Sequence, residues 1–277
     1  MEQDVQGRWP RSEVERQRPG EDFRGKTVLV TGSGRNIGRA IVLEFAKCGA
    51  DVVVNGHSKR DECEEVAGAA RKLGVKALVC MADVGDPRQV NRMVGEAATA
   101  FGGIDVYVSN VGLRLNQSLD EISYEDWDLI LRTNLSAAFY LAKAIVPHMR
   151  KRRWGRIIHM SGMDGFMGAP VDMAIDSPKH IHNVTCKSGL HGLTKSLAKE
   201  EGRHGITVNT VDPGSIHTSR LAAHFPNWSA TPWVVRSAVK RVGEPEEVAW
   251  LCCYLASEKA GFITGQVVHI NGGYVMY

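Results

Sequence analysis

Short runs dense in Val, Ile and Leu alternate with longer stretches of helical spacing along almost the whole chain. The runs fall at 27–30, 51–55, 77–80, 105–109, 156–160, 207–211 and 267–270. Most are nearly continuous in apolar residues rather than alternating, as strands covered on both faces should be. Helical patterns lie near 37–48, 61–73, 87–101, 123–131, 136–152, 180–203 and 245–257. This order predicts an α/β fold in which helices cover both faces of one doubly wound, seven-stranded parallel sheet. The 277 residues suit a single domain over 25–277, preceded by a polar extension over 1–24 rich in Arg and Glu. The least patterned stretch, 212–243, holds Pro213, Pro226, Pro232, Phe225, Trp228 and Trp233 and reads as a substrate-side lobe or lid.

Composition narrows the function. Hydrophobic residues make up 43% of the chain, enough for an ordinary core. The net charge of +3 comes from both signs mixed along the sequence, with no basic stripe to suggest a nucleic-acid partner. No stretch reaches the roughly 18 uninterrupted apolar residues of a membrane span, and the first 24 residues lack the apolar core of a secretory signal. Cys48, Cys63, Cys80, Cys186, Cys252 and Cys253 match neither zinc-site nor disulfide-framework spacing. They read as reduced thiols in a cytoplasmic protein without a metal.

The chemistry begins at Thr31-Gly32-Ser33-Gly34-Arg35-Asn36-Ile37-Gly38, which follows the first strand and opens the first helix. Glycines there let backbone approach a pyrophosphate, and the helix N-terminus supplies N–H groups and a favourable dipole. This turn predicts a nicotinamide dinucleotide site. A carboxylate at the end of the second strand would hold the adenosine ribose and favour NAD(H). The second strand instead ends Asn55-Gly56-His57-Ser58-Lys59. Arg35, His57, Ser58 and Lys59 can cradle a 2′-phosphate, so the reading favours NADP(H) over NAD(H).

From about Gly25 to the C-terminus the sequence resembles the short-chain dehydrogenase/reductase family, particularly its 3-ketoacyl-carrier-protein-reductase-like members. The turn from Thr31 to Gly38 resembles the family's cofactor turn, with Asn36 where a glycine usually stands. Asp83-Val84 resembles its adenine-contacting pair, and Ser109-Asn110-Val111-Gly112 its N-N-A-G segment. Asn134 matches its structural and catalytic asparagine. Pro213-Gly214 with Ile216 and Thr218 resembles the segment over the nicotinamide amide, and Asn271-Gly272-Gly273 the C-terminal signature. The resemblance implies a Rossmann-type fold. It also implies a homotetramer or homodimer, joined through the helices near 123–152 and 180–203.

The family's serine–tyrosine–lysine set is incomplete here. Lys187 stands in the family's lysine context and is expected to bind the nicotinamide ribose. Four residues earlier stands Asn183, and no tyrosine occurs between Tyr140 and Tyr254. Gly162 takes the serine position and Ser161 precedes it, with Asp164 shortly after. An asparagine amide donates a hydrogen bond but cannot transfer a proton at neutral pH. Histidine is the natural substitute. His180 shares a helical stripe with Asn183 and Lys187, whereas His182 would point about 140° from Lys187 on an ideal helix unless it precedes the helix. The stretch from Ala169 to His182 is longer than usual and also holds Asp172, Asp176, Pro178 and Lys179.

These residues predict an oxidoreductase that interconverts a carbonyl and a secondary alcohol on a small, apolar or aromatic substrate. His182 or His180 would relay the proton, Ser161 and Asn183 would bind the substrate oxygen, and Phe166 and the nearby aromatics would line the pocket. Two alternatives remain open at this level. One is a non-redox lyase or isomerase on the same scaffold, and the other an idle homologue that senses the cofactor.

Overall fold

The structure is a computed structural model that describes residues 23–168, 180–219, 221 and 231–276. Asp172, Asp176, Pro178, Lys179, Phe225, Pro226 and Trp228 lie outside the described residues, as do residues 1–22 of the expected extension. Phe23, counted as extension above, belongs to the folded body: it is 2% exposed and meets Phe45 edge-on at 5.0 Å.

The strands are β1 (Thr27–Val30), β2 (Asp51–Gly56), β3 (Ala77–Met81), β4 (Val106–Ser109), β5 (Gly155–Met160), β6 (Ile206–Pro213) and β7 (Val267–Ile270). They form one sheet in the order β3-β2-β1-β4-β5-β6-β7, every pair parallel. Val28 and Val30 face one core and Leu29 the other, and Val106 and Val108 are split from Tyr107 in the same way. Two buried faces explain why these runs carry no polar alternation. The chain leaves β1 toward β2 on one side and returns to β4 on the other. That reversal opens a crevice at the strands' C-terminal ends.

The helices are α1 (Asn36–Lys47), α2 (Arg60–Lys72), α3 (Pro87–Phe101), α4 (Tyr124–Leu131), α5 (Ala137–Arg152), the single turn α6 (Asp164–Met167), α7 (Ile181–Glu201), the short α8 (Pro232–Arg236) and α9 (Pro245–Ala256). The sequence patterns at 123–131 and 136–152 are not separate helices. A π-helical turn over Arg132–Ser136 joins α4 to α5 without a break. By length and composition the joined helix contains a stretch that would pass as a membrane span. Its Ala138, Leu141 and Ile145 are instead buried within the protein core.

α7 rests on the sheet through a polar seam. His159 Nδ1 lies 2.7 Å from Thr194 Oγ1, which lies 2.8 Å from Thr210 Oγ1, and all three residues are fully buried. Unpairing a buried polar group costs about 1–3 kcal/mol. Thr194→Val keeps the shape but strands His159 and Thr210, so it should lower unfolding stability by about that amount in urea titrations.

Candidate active site

The glycine turn is shaped from within. Gly32 has φ +60°, and a Cβ on Gly38 would lie 2.5 Å from the Gly32 carbonyl oxygen and 2.7 Å from Asn110 Nδ2. That amide donates to the Thr31 and Gly32 carbonyls at 2.9 and 3.1 Å, so Asn110 braces the turn. Asn36 adopts φ +50°, a left-handed conformation that asparagine tolerates better than most residues. This accounts for Asn36 at a position where the family usually has glycine. Its side chain also accepts from the Ser219 amide at 3.0 Å and donates to Ser219 Oγ at 3.1 Å.

The turn fits a dinucleotide: glycines pack it closely against its own backbone and Asn110, directly before the N-terminus of α1, where amide N–H groups can receive a pyrophosphate. Arg35, His57, Ser58 and Lys59 are all exposed around the end of β2. Ile37 and Thr218 are half-buried and Val84 is buried. Asp83 accepts the Gly85 amide at 2.8 Å. Pro213 ends β6, Gly214 bonds to the Ile270 carbonyl at 3.0 Å, and Ile216 pairs with Gly243. Ser33 departs from expectation. Its hydroxyl donates to the Val30 carbonyl at 2.8 Å and its amide to Asn55, so it ties β1 to β2 rather than facing a ligand.

The other half of the site surrounds the π-helical turn. Wider turns of this kind often occur at functional sites, and this one carries Asn134. Asn134 Oδ1 accepts the Leu113 amide at 2.7 Å, while its Nδ2 donates to the Leu113 carbonyl at 2.7 Å and reaches Asn183 Oδ1 at 3.4 Å. Asn134 and Asn183, both 3% exposed, thus join the loop after β4 to the start of α7.

Lys187 Nζ donates to the Met160 carbonyl at 2.7 Å, at the end of β5. Burial, then the Arg114 guanidinium, pull its pKa down to about 8. Ser161 is turned away from the crevice. Its hydroxyl donates to the Lys187 carbonyl at 3.2 Å and meets His191 Nε2 at 2.8 Å, which makes it a tie between β5 and α7 rather than a substrate ligand.

The helix starts at Ile181, so His180 is its cap and His182 lies inside the first turn rather than before it. His182 is 0% exposed. Its Nδ1 lies 2.9 Å from the Asn183 amide and accepts from it in the tautomer that carries the ring proton on Nε2. Nε2 is buried without a hydrogen-bond partner among the described residues. Burial lowers the pKa of His182, with the His180 carbonyl and Asp126 opposing and Arg114 adding to the fall. Arg114 therefore faces both His182 and Lys187.

His191, Asp212, His269 and Arg114 escaped the sequence reading. His191 follows Lys187 by four positions and shares its helical face, a spacing that could have revealed it. Asp212, 0% exposed, pairs with His269 Nδ1 at 2.7 Å. Phe166 sits between the His191 and His269 rings at 4.6 and 4.7 Å, a stacking role rather than a free pocket wall. Arg114 bonds to Asp164 at 2.9 Å, a long-range partnership that no local pattern announces.

A family model described as Enoyl-(Acyl carrier protein) reductase matches residues 32–275. The chain is 35% identical over 251 residues to the 3-oxoacyl-(acyl-carrier-protein) reductase FabG of Staphylococcus epidermidis, covering 91% of this chain and 99% of that one. It is 34% identical over 264 residues to the D-beta-hydroxybutyrate dehydrogenase of Rhizobium meliloti, with 90% and 98% covered. A solved short-chain type dehydrogenase/reductase from Mycobacterium marinum superposes with a TM-score of 0.81 at 32% identity, over 92% of this chain and 97% of that one. The chain belongs to the short-chain dehydrogenase/reductase family and is an oxidoreductase of that type.

Two expectations follow from this geometry. His159 and His191 are each held near pKa 4, chiefly by burial. The unfolded chain therefore binds more protons than the folded one between that value and the ordinary 6.5. Stability should fall as pH drops through this window, and urea midpoints measured at pH 7 and pH 5 check it. A Cβ on Gly162 would meet nothing within 4 Å. Gly162→Ser should thus fold with stability within about 0.5 kcal/mol of the parent in the same assay.

Proposed function

We propose that this chain is an NADP(H)-dependent oxidoreductase interconverting a carbonyl and a secondary alcohol on a small substrate, with His182 in the place of the absent tyrosine. The observation that carries the reading is the fully buried His182 Nε2–H with no acceptor among the described residues, beside an arginine it shares with Lys187. A buried donor left unpaired is costly, and such sites concentrate where a ligand completes the bond.

The roles follow from position. Gly32, Gly38, Asn36 and Asn110 would shape the pyrophosphate cradle. Arg35, His57, Ser58 and Lys59 would meet the 2′-phosphate in the absence of a carboxylate at the end of β2. Asp83 and Val84 would flank the adenine, with Pro213, Gly214, Ile216 and Thr218 beside the nicotinamide. When bound, the nicotinamide would supply or accept the hydride. Lys187 would hold its ribose hydroxyls. Asn183 would position the substrate oxygen, and Asn134 would hold Asn183 in place.

His182 would hydrogen-bond the carbonyl oxygen through Nε2–H; taking a proton at Nδ1, in exchange for the Asn183 amide contact, would make it the imidazolium that gives its Nε2 proton to the nascent alkoxide. His180 is the helix cap, whereas His182 lies inside the first turn with its Nδ1 held by the Asn183 amide, so His182 is the better-positioned relay. Relatives named as a reductase and as a dehydrogenase support carbonyl–alcohol chemistry of either direction. The absence of a disulfide among the described cysteines supports a reducing compartment such as the cytoplasm. Half-exposed Phe139 on α5 and Ile181 on α7 support assembly as a homotetramer or homodimer through those helices.

His182→Phe should lower kcat for carbonyl reduction by about 10²–10⁴-fold with little change in NADPH affinity, whereas Lys187→Met should weaken NADPH binding itself. Stopped-flow NADPH oxidation and fluorescence titration separate the two. Because burial lowers the pKa of His182, kcat/KM for reduction should rise as pH falls below the ordinary imidazole value of 6.5, and His182→Phe should abolish that limb. A His182→Phe enzyme of normal turnover would remove the proposed mechanism.

A further inference from the structure

We propose that Arg114 and Asp164 form an exchangeable clamp that selects a carboxylate-bearing substrate: the carboxylate of an oxo acid or hydroxy acid takes the place of Asp164 on Arg114 and so brings the reacting carbon to His182 and Lys187. This inference rests on the proposed carbonyl–alcohol activity and names its substrate class.

The clamp spans the crevice. Arg114 leaves the loop after β4 directly behind Leu113, whose amide and carbonyl are both held by Asn134 at 2.7 Å. The guanidinium therefore starts from a fixed backbone position. Asp164 opens α6, just beyond the end of β5. Ser188 Oγ pins that turn onto α7 by donating to the Gly165 carbonyl at 2.7 Å. The bond from Arg114 Nη2 to Asp164 Oδ2 thus crosses above the ends of two adjacent strands, where the crevice opens.

Three observations separate this pair from a structural tie. First, its side chains are 33% and 16% exposed, so solvent and a solute reach the guanidinium. A partly solvated single-contact pair contributes little net stability, so exchanging one carboxylate for another costs little. Second, the bond uses one guanidinium nitrogen and one carboxylate oxygen. Arginine grips carboxylates best through two parallel bonds, which a mobile ligand can adopt more freely than a side chain fixed on a helical turn. Third, Arg114 acts electrostatically on both His182 and Lys187, and Asp164 acts on Lys187. The charges of the clamp are therefore felt at both proposed reacting groups.

The size of the substrate is bounded on the far side. Met163, adjacent to Asp164, lines a cavity of about 140 Å³ whose walls are apolar at Ile216 and Val234 and polar at Ser237, Arg241 and Asn271. A volume of that order takes a few carbon atoms, which suits a short oxo acid.

The test compares pyruvate, acetoacetate and levulinate with their methyl esters, using NADPH oxidation by the full chain at pH 7, where the acids are ionised. At least one acid should exceed its ester in kcat/KM by roughly tenfold or more, the scale of a charge-assisted bond. Arg114→Gln should raise KM for that acid at least tenfold more than for its ester. Asp164→Asn should lower KM for the acid, because the competing carboxylate is gone. Esters preferred throughout, or Arg114→Gln acting equally on acid and ester, would overturn the clamp. If neither acids nor esters consume NADPH, the redox reading fails instead. Calorimetric titration of acetoacetate into the NADP⁺-loaded protein then decides the clamp separately. Binding that disappears in Arg114→Gln upholds it, and binding that is absent or unchanged in the variant overturns it.

Discussion

One side-chain amide holds together the loop after β4, the π-helical turn and the start of α7. Asn134 grips Leu113 by both of its peptide groups and touches Asn183, so a loop, a helix and the start of a second helix are fixed by a single residue. It reaches all three because the π-helical turn at Arg132–Ser136 widens the helix at that point. Each donor and acceptor in this knot is paired, as its burial demands. Arg114 on one side and Lys187 on the other take their positions from it.

The charges around the crevice are balanced locally. Lys187 and Arg114 face Asp164 and Asp212, and Asp212 is shared with His269. Burial raises the Asp212 carboxyl while the His269 imidazole opposes the rise. A lysine half-buried among these groups loses part of its preference for the charged form, which puts its titration closer to neutrality. Such displaced titrations gather at sites that handle protons. Here they gather at the C-terminal ends of β5, β6 and β7.

The sheet was legible because its physics is local. Strands buried on both faces must be apolar throughout, so runs such as Val52-Val53-Val54 betray themselves. The cofactor turn was legible because glycine is required where Gly38 meets the Gly32 carbonyl. Asn36 could be read as a departure but not resolved, since its φ depends on contacts 183 residues away. Ser161 was misjudged for a related reason. A hydroxyl at a strand end can point into the crevice or back to the next helix, and His191 decides in favour of the helix. The merger of α4 with α5 escaped because Arg132–Ser136 carries no breaker and no apolar stripe of its own.

The paired bonds between Asn36 and Ser219 carry a mechanical implication. They stitch the left-handed residue of the glycine turn to Ser219, so a displacement of Ser219 is passed to the backbone that shapes the turn.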